Sequence, residues 1–370
     1  MKRRSFLSSS SCVAGSFLAG SSCHAAPAAK VSETRVISQR PHLYHGWPTL
    51  ARGKKGDLLL VCSGGREAHV CPFGRTEFMR SSDGGESWSF PRVVMDGPID
   101  DRDAGVLETA QGSILITNFT SLAYEPYMNG KGQSWLRAHQ RVGSEERRSA
   151  LGNWMIRSVD GGLTFSARYR VPVNSPHGPV QLRDGRLLYA GKALWTKNEK
   201  IGVCESRDDG LSWQWLADIP SRKEDNHREY HELHAVEAGD RLIVQIRNHN
   251  SVNTGETLQC ESLNGGKSWS EPYSIGVWGL PSHLLRLRDG RLLMSYGYRR
   301  KPFGNQVRIS ENEGKRWSPP ITISSDGQGH DLGYPSTVER DDGKLVTVWY
   351  EKMAGSSNAV LRQVVWGLEG

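Results

Sequence analysis

The sequence has no run of eighteen apolar residues, and hydrophobic residues make up only 37% of its 370 positions. A membrane-spanning helix needs about twenty mostly apolar residues, so we expect no segment to span a membrane. The chain also lacks a strong charge, because a formal net charge of +7 is spread along its whole length. So weak and scattered a balance gives no reason to expect nucleic-acid binding, although it is compatible with an anionic ligand or with a solvated basic surface.

Cysteine is scarce, with six residues in the chain. No Cys-x-x-Cys pair stands with histidines in a zinc-binding spacing, so we expect neither a metal nor a cofactor. Cys62 and Cys71 bracket one loop and could form a disulfide in an oxidising compartment. The sequence leaves open whether they pair. Cys204 and Cys260 each lie two residues before a repeated motif, on equivalent strands that should be too far apart for a disulfide.

The N-terminus has the features of an export signal. The segment Lys2-Arg3-Arg4-Ser5-Phe6-Leu7 resembles a twin-arginine signal, a short apolar core follows, and His24-Ala25-Ala26 offers small residues for cleavage. We expect residues 1–29 to be a signal peptide that directs the protein to a bacterial periplasm or exterior, and residues 30–370 to form the mature domain. A disordered basic tail is the alternative.

One motif, Ser-x-Asp-x-Gly-x-Ser/Thr-Trp/Phe, organises the chain. Its Asp is expected to bond its own backbone and its Gly to supply a positive φ, which predicts a tight turn between two strands. The aromatic residue should tuck under the next strand. Five copies share one register, the last two with Asn in place of Asp and the fifth with Arg before its Trp: Ser81–Trp88, Ser158–Phe165, Ser206–Trp213, Ser262–Trp269 and Ser310–Trp317.

A second repeat, a Gly-containing turn followed by an apolar strand, predicts six β-hairpins. Only the last hairpin has no copy of the Ser-x-Asp motif after it, and we expect 359–368 and 34–39 to supply its third and fourth strands, so that the two chain ends close a ring. The surplus length at 121–150 predicts a long loop within the second unit. The six hairpin segments are 53–61, 110–117, 183–190, 238–245, 288–295 and 341–348.

The five turns resemble the Asp-boxes of the sialidase (neuraminidase) superfamily. That resemblance implies an all-β fold, a six-bladed β-propeller in which the boxes lie on the outer rim between the third and fourth strands of a blade. Such boxes are structural and indicate the fold rather than the chemistry.

In a propeller the first strand of each blade lines the central channel, so the polar residues of these strands should share a cavity. Any one of them could instead satisfy a backbone group, but their convergence from six blades predicts a functional site. The channel residues are His45, Trp47, Asp100, Asp101, Arg102, Asp103, His177, His231, Glu232, His234, His283, Asp331 and Tyr334.

The resemblance also implies catalytic roles. Tyr334 starts the last blade, as the family's nucleophile does, and Glu232 stands on the first strand of the fourth blade, as its base does. Arg247 ends the next strand, and Arg299 or Arg300 is available in the fifth blade, so these would bind a substrate carboxylate in bidentate fashion. A neutral Tyr oxygen suits a sugar whose reacting carbon carries a carboxylate, because an anionic nucleophile would be repelled.

Two departures from the family pattern leave alternatives open. The first blade has Gly46-Trp47-Pro48 where the family has Arg-Ile-Pro, so one clamp arginine is missing, and Arg66 and Arg102 are the candidates to replace it. The acid/base Asp of the family has no clear counterpart, and the candidates are Glu67, His69, Asp101 and Asp103. The remaining predicted substrate-binding residues are His45, Trp47, His177, His234 and His283, the last three without a family counterpart.

We therefore predict an exo-acting glycoside hydrolase that removes a terminal sialic acid or a similar acidic sugar from a glycan or glycoconjugate. The first alternative is a lyase or hydrolase of the same fold that uses the channel histidines on uronic-acid- or rhamnose-containing glycans, which the missing arginine favours. The second alternative is a non-catalytic glycan-binding propeller, against which Tyr334, Glu232 and the arginines together are more than binding requires.

Overall fold

The computed structural model describes residues 28–369, where almost all regular structure is β-strand. The long apolar runs of the sequence form inner strands, and the Gly-containing turns separate them. In chain order the strands are β1 (Ala28–Val31), β2 (Arg35–Val36), β3 (Tyr44–Arg52), β4 (Leu58–Arg66), β5 (Arg75–Ser81), β6 (Arg92–Met95), β7 (Asp100–Glu108), β8 (Ile114–Ser121), β9 (Asn153–Ser158), β10 (Tyr169–Arg170), β11 (Val180–Gln181), β12 (Leu187–Lys192), β13 (Ile201–Ser206), β14 (Gln214–Asp218), β15 (Tyr230–Ala238), β16 (Arg241–Asn248), β17 (Glu256–Ser262), β18 (Tyr273–Trp278), β19 (Ser282–Arg286), β20 (Leu292–Tyr298), β21 (Gly304–Ser310), β22 (Ile321–Ser324), β23 (Leu332–Glu339), β24 (Leu345–Lys352) and β25 (Ala359–Glu369).

These strands form six antiparallel sheets, each an up-and-down blade, which confirms the predicted six-bladed β-propeller. Blades 1 to 5 are β3–β6, β7–β10, β11–β14, β15–β18 and β19–β22. Blade 6 joins β23, β24 and β25 with β1 and β2 from the other end of the chain. All six predicted hairpins are the first two strands of a blade.

The ring closes by pairing the two chain ends, as the sequence predicts. β25 pairs with β2 inside the predicted segment 34–39, and also with β1 further toward the N-terminus. Closure in this way leaves no long unpaired strand at the junction. The predicted signal peptide lies outside the described residues except for Ala28 and Ala29, which begin β1.

The core lies between neighbouring blades and follows the two-residue period of a strand. In β4, Leu58 and Leu60 pack against blade 6, whereas Leu59 and Val61 pack against blade 2. Both faces of an inner strand are therefore buried, which explains why these strands read as continuous apolar runs rather than as alternating patterns.

The boxes connect the third and fourth strands of blades 1 to 5, as predicted. In the first copy, Ser81 Oγ donates to Asp83 Oδ1 (2.7 Å) and accepts from Gly85 N (2.7 Å), while Asp83 accepts from Ser87 N (2.9 Å). Gly85 has φ +93°, a value that favours glycine. The aromatic residue reaches the next blade, where Trp88 Nε1 donates to Gln363 Oε1 (2.7 Å).

The segment 121–150 connects β8 and β9 within blade 2, as predicted, but it is partly helical rather than a plain loop. It contains a 3-10 helix (Glu125–Gly130) and two short helices, α1 (Gln133–Gln140) and α2 (Ser144–Ala150). Trp135 of α1 is buried in a cluster with the loop that follows β4. Helices of eight residues or fewer give too short a periodic signal to be found in the sequence. None of the helices in residues 28–369 is long and apolar enough to cross a membrane.

Cys62, Cys71, Cys204 and Cys260 are all buried and unpaired in this structure. Cys62 packs in the core between blades 1 and 6, whereas Cys71 packs with the helical insertion. The two side chains serve different cores, so the disulfide that the sequence left open is not formed.

Candidate functional site

Four channel side chains occupy one register position in four blades. Each stands two residues before a first-strand residue that pairs with the fourth residue of the second strand, or with the fifth in blade 4, where Arg241 precedes the apolar run. These pairs are Thr49 with Val61, Gly105 with Thr117, His234 with Gln245, and Ser336 with Val348. The four side chains are those of Trp47, Asp103, Glu232 and Tyr334. Their shared register puts them at one level of the channel.

A β-bulge interrupts the first strand at each of these positions. Three of the four residues have left-handed backbone angles, with φ +53° at Trp47, +47° at Asp103 and +51° at Tyr334. Such a conformation costs on the order of 1–3 kcal/mol for a residue other than glycine, and bulges of this kind re-aim side chains at functional sites. Pro48 and Pro335 follow two of them and have no amide to continue the ladder.

Tyr334, Glu232 and Arg247 form one hydrogen-bonded group. Tyr334 Oη donates to Glu232 Oε1 at 2.5 Å, and Arg247 Nη1 donates to the same oxygen at 2.8 Å and to Tyr334 Oη at 3.0 Å. Glu232 lies on β15 and Arg247 near the end of β16, so one hairpin supplies both charges. The contact unites three residues from blades 4 and 6 that the sequence assigned to catalysis and carboxylate binding.

The electrostatics of this group keep a carboxylate beside a neutral phenol. Burial opposes ionisation of Glu232, but Arg247, His231 and the bond from Tyr334 outweigh it and lower the pKa of Glu232 to about 2. Burial, followed by the charge of Glu232, raises the pKa of Tyr334 well above its ordinary value. At neutral pH the pair is therefore Glu232 carboxylate and Tyr334 phenol.

Two further guanidinium groups lie beside this group. Arg299 is anchored by Nε to the carbonyl of Leu332 at 3.0 Å and lies 5.8 Å from the centroid of the Tyr334 ring. Arg102 lies 4.5 Å from the centroid of the Trp47 ring and makes no hydrogen bond from its side chain to any described residue. Arg300 is exposed and instead covers Trp278 of blade 4, so the structure favours Arg299 between the two alternatives.

Trp47 occupies the place of the missing arginine and supports the arginines around it. Its ring is buried and lies edge-on to Tyr334, with centroids 6.5 Å apart. Arg66 also approaches this ring, but its guanidinium forms a bidentate pair with Asp100 (2.6 and 2.8 Å) and is fully buried. Of the two predicted replacements, Arg102 remains available to a ligand and Arg66 is held by the fold.

Two of the four acid/base candidates are held in structural contacts. Asp101 accepts from Gly97 N (2.5 Å) and Asn118 Nδ2 (2.7 Å) inside blade 2, and burial raises its pKa to about 7. Glu67 is exposed and accepts from Trp135 Nε1 of the insertion at 2.7 Å. Neither carboxyl group is placed with Tyr334.

Asp103 lies at the level of Tyr334 and is buried. Burial raises its pKa to about 7 and Glu232 adds to the rise, against the opposing charges of Arg102, Arg66 and Arg247. Its Oδ1 has no hydrogen-bond partner among the described residues. At neutral pH a large fraction of this side chain is therefore a neutral carboxylic acid that can donate a hydrogen bond.

His69, the fourth candidate, belongs to a polar group centred on Asp331. Asp331 Oδ1 lies 2.9 Å from His69 Nδ1 and accepts from Tyr44 Oη at 2.8 Å, and Lys352 Nζ lies 3.2 Å from Oδ2. The His69 ring also meets Trp47 edge-on at 5.0 Å, which joins this group to the Tyr334 group. Burial, then Arg102 and Arg66, lower the pKa of His69 despite the opposing influence of Asp331.

This polar group borders open space. The His69 side chain is 47% exposed, and a cavity of about 660 Å³ reaches Asp331 between residues 328–331 and 352–356. The His69 side is therefore the accessible side of the site, whereas Tyr334 and Asp103 form its buried side. Trp47 and Tyr350 close the space between them, with ring centroids 5.8 Å apart.

Four predicted substrate-binding histidines lie elsewhere. His45 points into blade 1 and lies 3.6 Å from Glu77 of β5. His177, His234 and His283 contact one another, with ring centroids 4.7–5.4 Å apart. They line a cavity of about 330 Å³ with the last residues of the first strands, such as Arg52 and Glu339, at the opposite end of the channel from Tyr334.

Unpaired polar atoms also mark the site. Buried atoms without a hydrogen-bond partner among residues 28–369 include Glu232 Oε2, Arg247 Nε, Arg102 Nε and Asp103 Oδ1. Buried polar groups are nearly always paired, so a concentration of free ones at one level of the channel is expected where a polar ligand completes the pairing.

Sequence reasoning placed Asp331 in the channel but gave it no role, and it missed Tyr44, Tyr350 and Lys352. Tyr350 and Lys352 stand at the end of the last second strand, the position that Arg247 holds in blade 4. That equivalence was visible in the hairpin repeat and would have found both residues.

The comparisons with known proteins agree with this architecture. The model of the BNR repeat-like domain family matches residues 126–347, more than half of the chain. A protein of unknown function from Dyadobacter fermentans aligns with a TM-score of 0.77 and 22% identity, over 93% of this chain and 100% of its own.

Two sialidase structures share the fold at lower identity. The NanB sialidase from Streptococcus pneumoniae aligns with a TM-score of 0.68 and 14% identity, over 91% of this chain and 71% of its own. The intramolecular trans-sialidase from Ruminococcus gnavus aligns with a TM-score of 0.68 and 14% identity, over 90% of this chain and 96% of its own. No curated protein matches the chain. The chain thus belongs to the BNR repeat-like family, and its Asp-box propeller has the same fold as these sialidase structures.

Proposed function

We propose that this protein is an exo-acting glycoside hydrolase that removes a terminal sialic acid or a similar acidic sugar from a glycan. The observation that carries the proposal is the Tyr334–Glu232–Arg247 group, in which a buried phenol donates to a carboxylate that an arginine also holds. A binding module would not need a phenol paired with a base. The 14% identity to the sialidase structures supports the fold alone, so the activity rests on this geometry.

In the first step the substrate carboxylate binds between Arg247 and Arg299, with Arg102 near enough to share the charge. Tyr334 Oη attacks the anomeric carbon, its proton passes to Glu232, and the bond to the leaving oxygen breaks as that oxygen receives a proton. A water then attacks the same carbon and gives one proton to the side chain that protonated the leaving oxygen, while the bond from Tyr334 to the sugar breaks and Tyr334 recovers its proton from Glu232.

Substrate binding itself makes Glu232 a better base. In the free protein the charge of Arg247 helps to lower the pKa of Glu232 to about 2, too low to accept a proton from a phenol efficiently. A substrate carboxylate on Arg247 adds negative charge beside Glu232 and weakens that stabilisation. The base therefore gains strength only when an anionic sugar is present.

His69 is the side chain best placed to protonate the leaving oxygen. It stands on the accessible side of the site, in the blade 1 loop, and Asp331 fixes its ring through Nδ1. A carboxylate that holds one ring nitrogen in this way sets the orientation of the other. Asp103, on the buried side, would act as a neutral hydrogen-bond donor to the sugar.

A second candidate is a lyase or hydrolase acting on uronic-acid- or rhamnose-containing glycans. Trp47, in place of the first clamp arginine, is the observation that favours it. This alternative assigned the chemistry to His177, His234 and His283, which lie at the far end of the channel from Tyr334. The geometry therefore supports the first function better.

The deciding experiment measures free sialic acid released from a sialylated glycoprotein by the purified mature protein and by Tyr334→Phe. We expect release by the wild-type protein and none by Tyr334→Phe, with Tyr298→Phe, a blade 5 tyrosine outside the group, as the matched control. Equal release by both variants would remove Tyr334 from its role. Without release by any form, the same three proteins are tested on uronate- and rhamnose-capped glycans, where turnover would establish the second candidate.

The role of His69 is tested separately with two substrates. An aryl glycoside has a leaving group that needs no protonation, so His69→Gln should retain most of its turnover but lose at least about 10²-fold on a natural glycoside. The wild-type kcat/KM should fall as the pH rises through the pKa of His69, which lies below 6.5. A fall centred near 7 instead would identify Asp103 as the acid.

A further inference from the structure

Three metal-ligating side chains lie together beside the Tyr334 group, at the start of blade 4. One ligand atom from each of Glu229, His231 and His249 lies within 4.8 Å of the other two. The two imidazole rings are nearly in contact, with centroids 4.5 Å apart. All three side chains are half-buried, so they are ordered by the protein but reachable from solvent.

The strand register explains why these residues converge. Tyr230 pairs with Asn248, and the backbone N–H of His249 donates to the carbonyl of Glu229 at 2.8 Å. Glu229 ends a 3-10 helix (His227–Glu229) that leads directly into β15, and His249 directly follows β16, so the two residues lie side by side at one end of the hairpin. His231, the second residue of β15, packs its ring against that of His249. The pairing of β15 with β16 and the backbone hydrogen bond from His249 to Glu229 thus set the arrangement.

No other described residue uses these groups. The ring nitrogens of His231 and His249 and the carboxylate of Glu229 make no hydrogen bond to any residue in 28–369. Nor does Glu229 form an ion pair there, whereas most nearby charges are matched. Arg247 is balanced by Glu232 at 2.8 Å, and Lys192 lies 3.7 Å from Glu199. Lys192 is also close enough for its charge to interact with Glu229 and His231, but it forms its ion pair with Glu199, so the carboxylate of Glu229 has no ion-pair partner among the described residues.

We propose that Glu229, His231 and His249 bind a zinc ion. Two imidazoles and one carboxylate are a ligand set that zinc takes where it keeps an open position. Tetrahedral zinc with bonds of about 2.0 Å brings ligand atoms to about 3.3 Å from one another, which small side-chain rotations achieve from the present spacing. Soft thiolate ligands are absent from the set, and the imidazoles disfavour calcium and magnesium, which prefer all-oxygen sites.

The position of this site gives the ion a role in the proposed reaction. His231 pairs in register with Arg247 and precedes Glu232, so the site adjoins the carboxylate clamp. A bound zinc would add positive charge there and offer an open position to a hydroxyl or carboxylate oxygen of the sugar. This role rests on the proposed function, whereas the binding of zinc does not.

Metal binding is measured directly, without reference to activity. The mature protein is stripped with a chelator, and Zn²⁺ affinity is determined by competition with a chromophoric chelator, with Co²⁺ absorption as a report of coordination. We expect one equivalent of zinc, a tetrahedral Co²⁺ spectrum, and at least about 100-fold weaker binding by His231→Ala and by His249→Ala. His227→Ala is the matched control. His227 stands two residues before Glu229, but its ring contacts the carbonyl of Asn198, so its removal should not change the zinc affinity.

Two results would overturn the zinc site. They are the absence of stoichiometric binding at 100-fold excess zinc over protein, and binding that His231→Ala and His249→Ala leave unchanged. Zinc binding by a protein that releases no sugar would uphold the site and reject the proposed hydrolase. Release of sugar by a protein that binds no zinc would reject the zinc site and uphold the proposed hydrolase.

Discussion

The three histidines at the far end of the channel predict that this fold loses stability in mild acid. His177, His234 and His283 are buried against one another, and burial is the main cause that lowers each of their pKa values, to about 3 for His234. The amide of Leu284 donates to His234 Nδ1 at 2.9 Å, which a neutral ring accepts. Protonation would therefore place a cation beside two other imidazoles and disrupt this contact.

The sign and the size follow from linkage. An unfolded histidine has a pKa of about 6.5, so below that pH the unfolded chain binds a proton that folded His234 does not, and stability falls until the pH nears about 3. At pH 5 this amounts to about 2 kcal/mol for His234 alone. His177 and His283 act in the same direction, and Arg52, Arg286 and Arg288 in the same cavity oppose any added positive charge there, while Glu339 partly offsets it.

The test compares the wild-type protein with His234→Asn in urea at pH 8 and at pH 5. Asparagine keeps an acceptor for the Leu284 amide and cannot titrate. Any packing energy that the substitution loses is the same at both pH values, so it cancels when the free energies of unfolding at pH 8 and pH 5 are subtracted. We expect the free energy of unfolding of His234→Asn to drop by about 2 kcal/mol less than that of the wild-type protein between these pH values. Equal drops in the two proteins would refute the reasoning.

Three further predictions concern other parts of the molecule. Arg247→Met should cost about 3–5 kcal/mol in urea unfolding because it leaves Glu232 buried and unpaired, and adding Glu232→Gln should restore most of that loss; a double variant as unstable as the single one would contradict the ion pair. Ser81→Ala removes the hydroxyl that bonds Asp83 and Gly85, so we expect it to cost about 1–3 kcal/mol, measured by thermal unfolding beside the exposed-position control Ser89→Ala, which loses only the bond to Arg80 N. Replacing both Arg3 and Arg4 with Lys should leave the precursor in the cytoplasm of a bacterial host, as fractionation would show; periplasmic mature protein would argue against a twin-arginine signal.

The fold could be predicted because its signals are local and repeated. A box such as Ser81–Trp88 specifies its own turn, and an apolar run such as 58–61 specifies an inner strand, so five boxes and six hairpins count the blades. The helical insertion was missed because a helix of eight residues has too few turns to show a period. Its burial depends on a loop of blade 1 that is distant in sequence.

The site was predicted less completely, and the reasons lie in the strands. Alternation shows which side chains face the channel but not their depth, so His234 was grouped with Glu232 although it lies one level further along the channel. The bulges that present Trp47 and Asp103 depend on backbone pairing that composition does not reveal. Likewise the sequence could not show that Arg66 forms an ion pair with Asp100, because the two residues are distant in sequence and meet only in the folded protein.

The cluster of Glu229, His231 and His249 was missed for a related reason. Ligand spacing was sought along the chain, whereas the pairing of β15 with β16 brings His249 beside His231, eighteen positions earlier, and beside Glu229, twenty positions earlier. Register, once the hairpin is known, is enough to predict the contact.

The most direct test of the central claim is to trap Tyr334 on the sugar. The reagent is a sialosyl fluoride with a second fluorine on the neighbouring carbon. The nucleophile attacks the anomeric carbon and displaces fluoride, and the remaining fluorine slows hydrolysis of the sugar–enzyme bond. Intact mass spectrometry of the wild-type protein should show the mass of one fluorosialosyl group, and peptide mapping should place it on Tyr334, with no adduct on Tyr334→Phe. An adduct on another residue, or hydrolysis of natural substrate by Tyr334→Phe at the wild-type rate, would contradict the account.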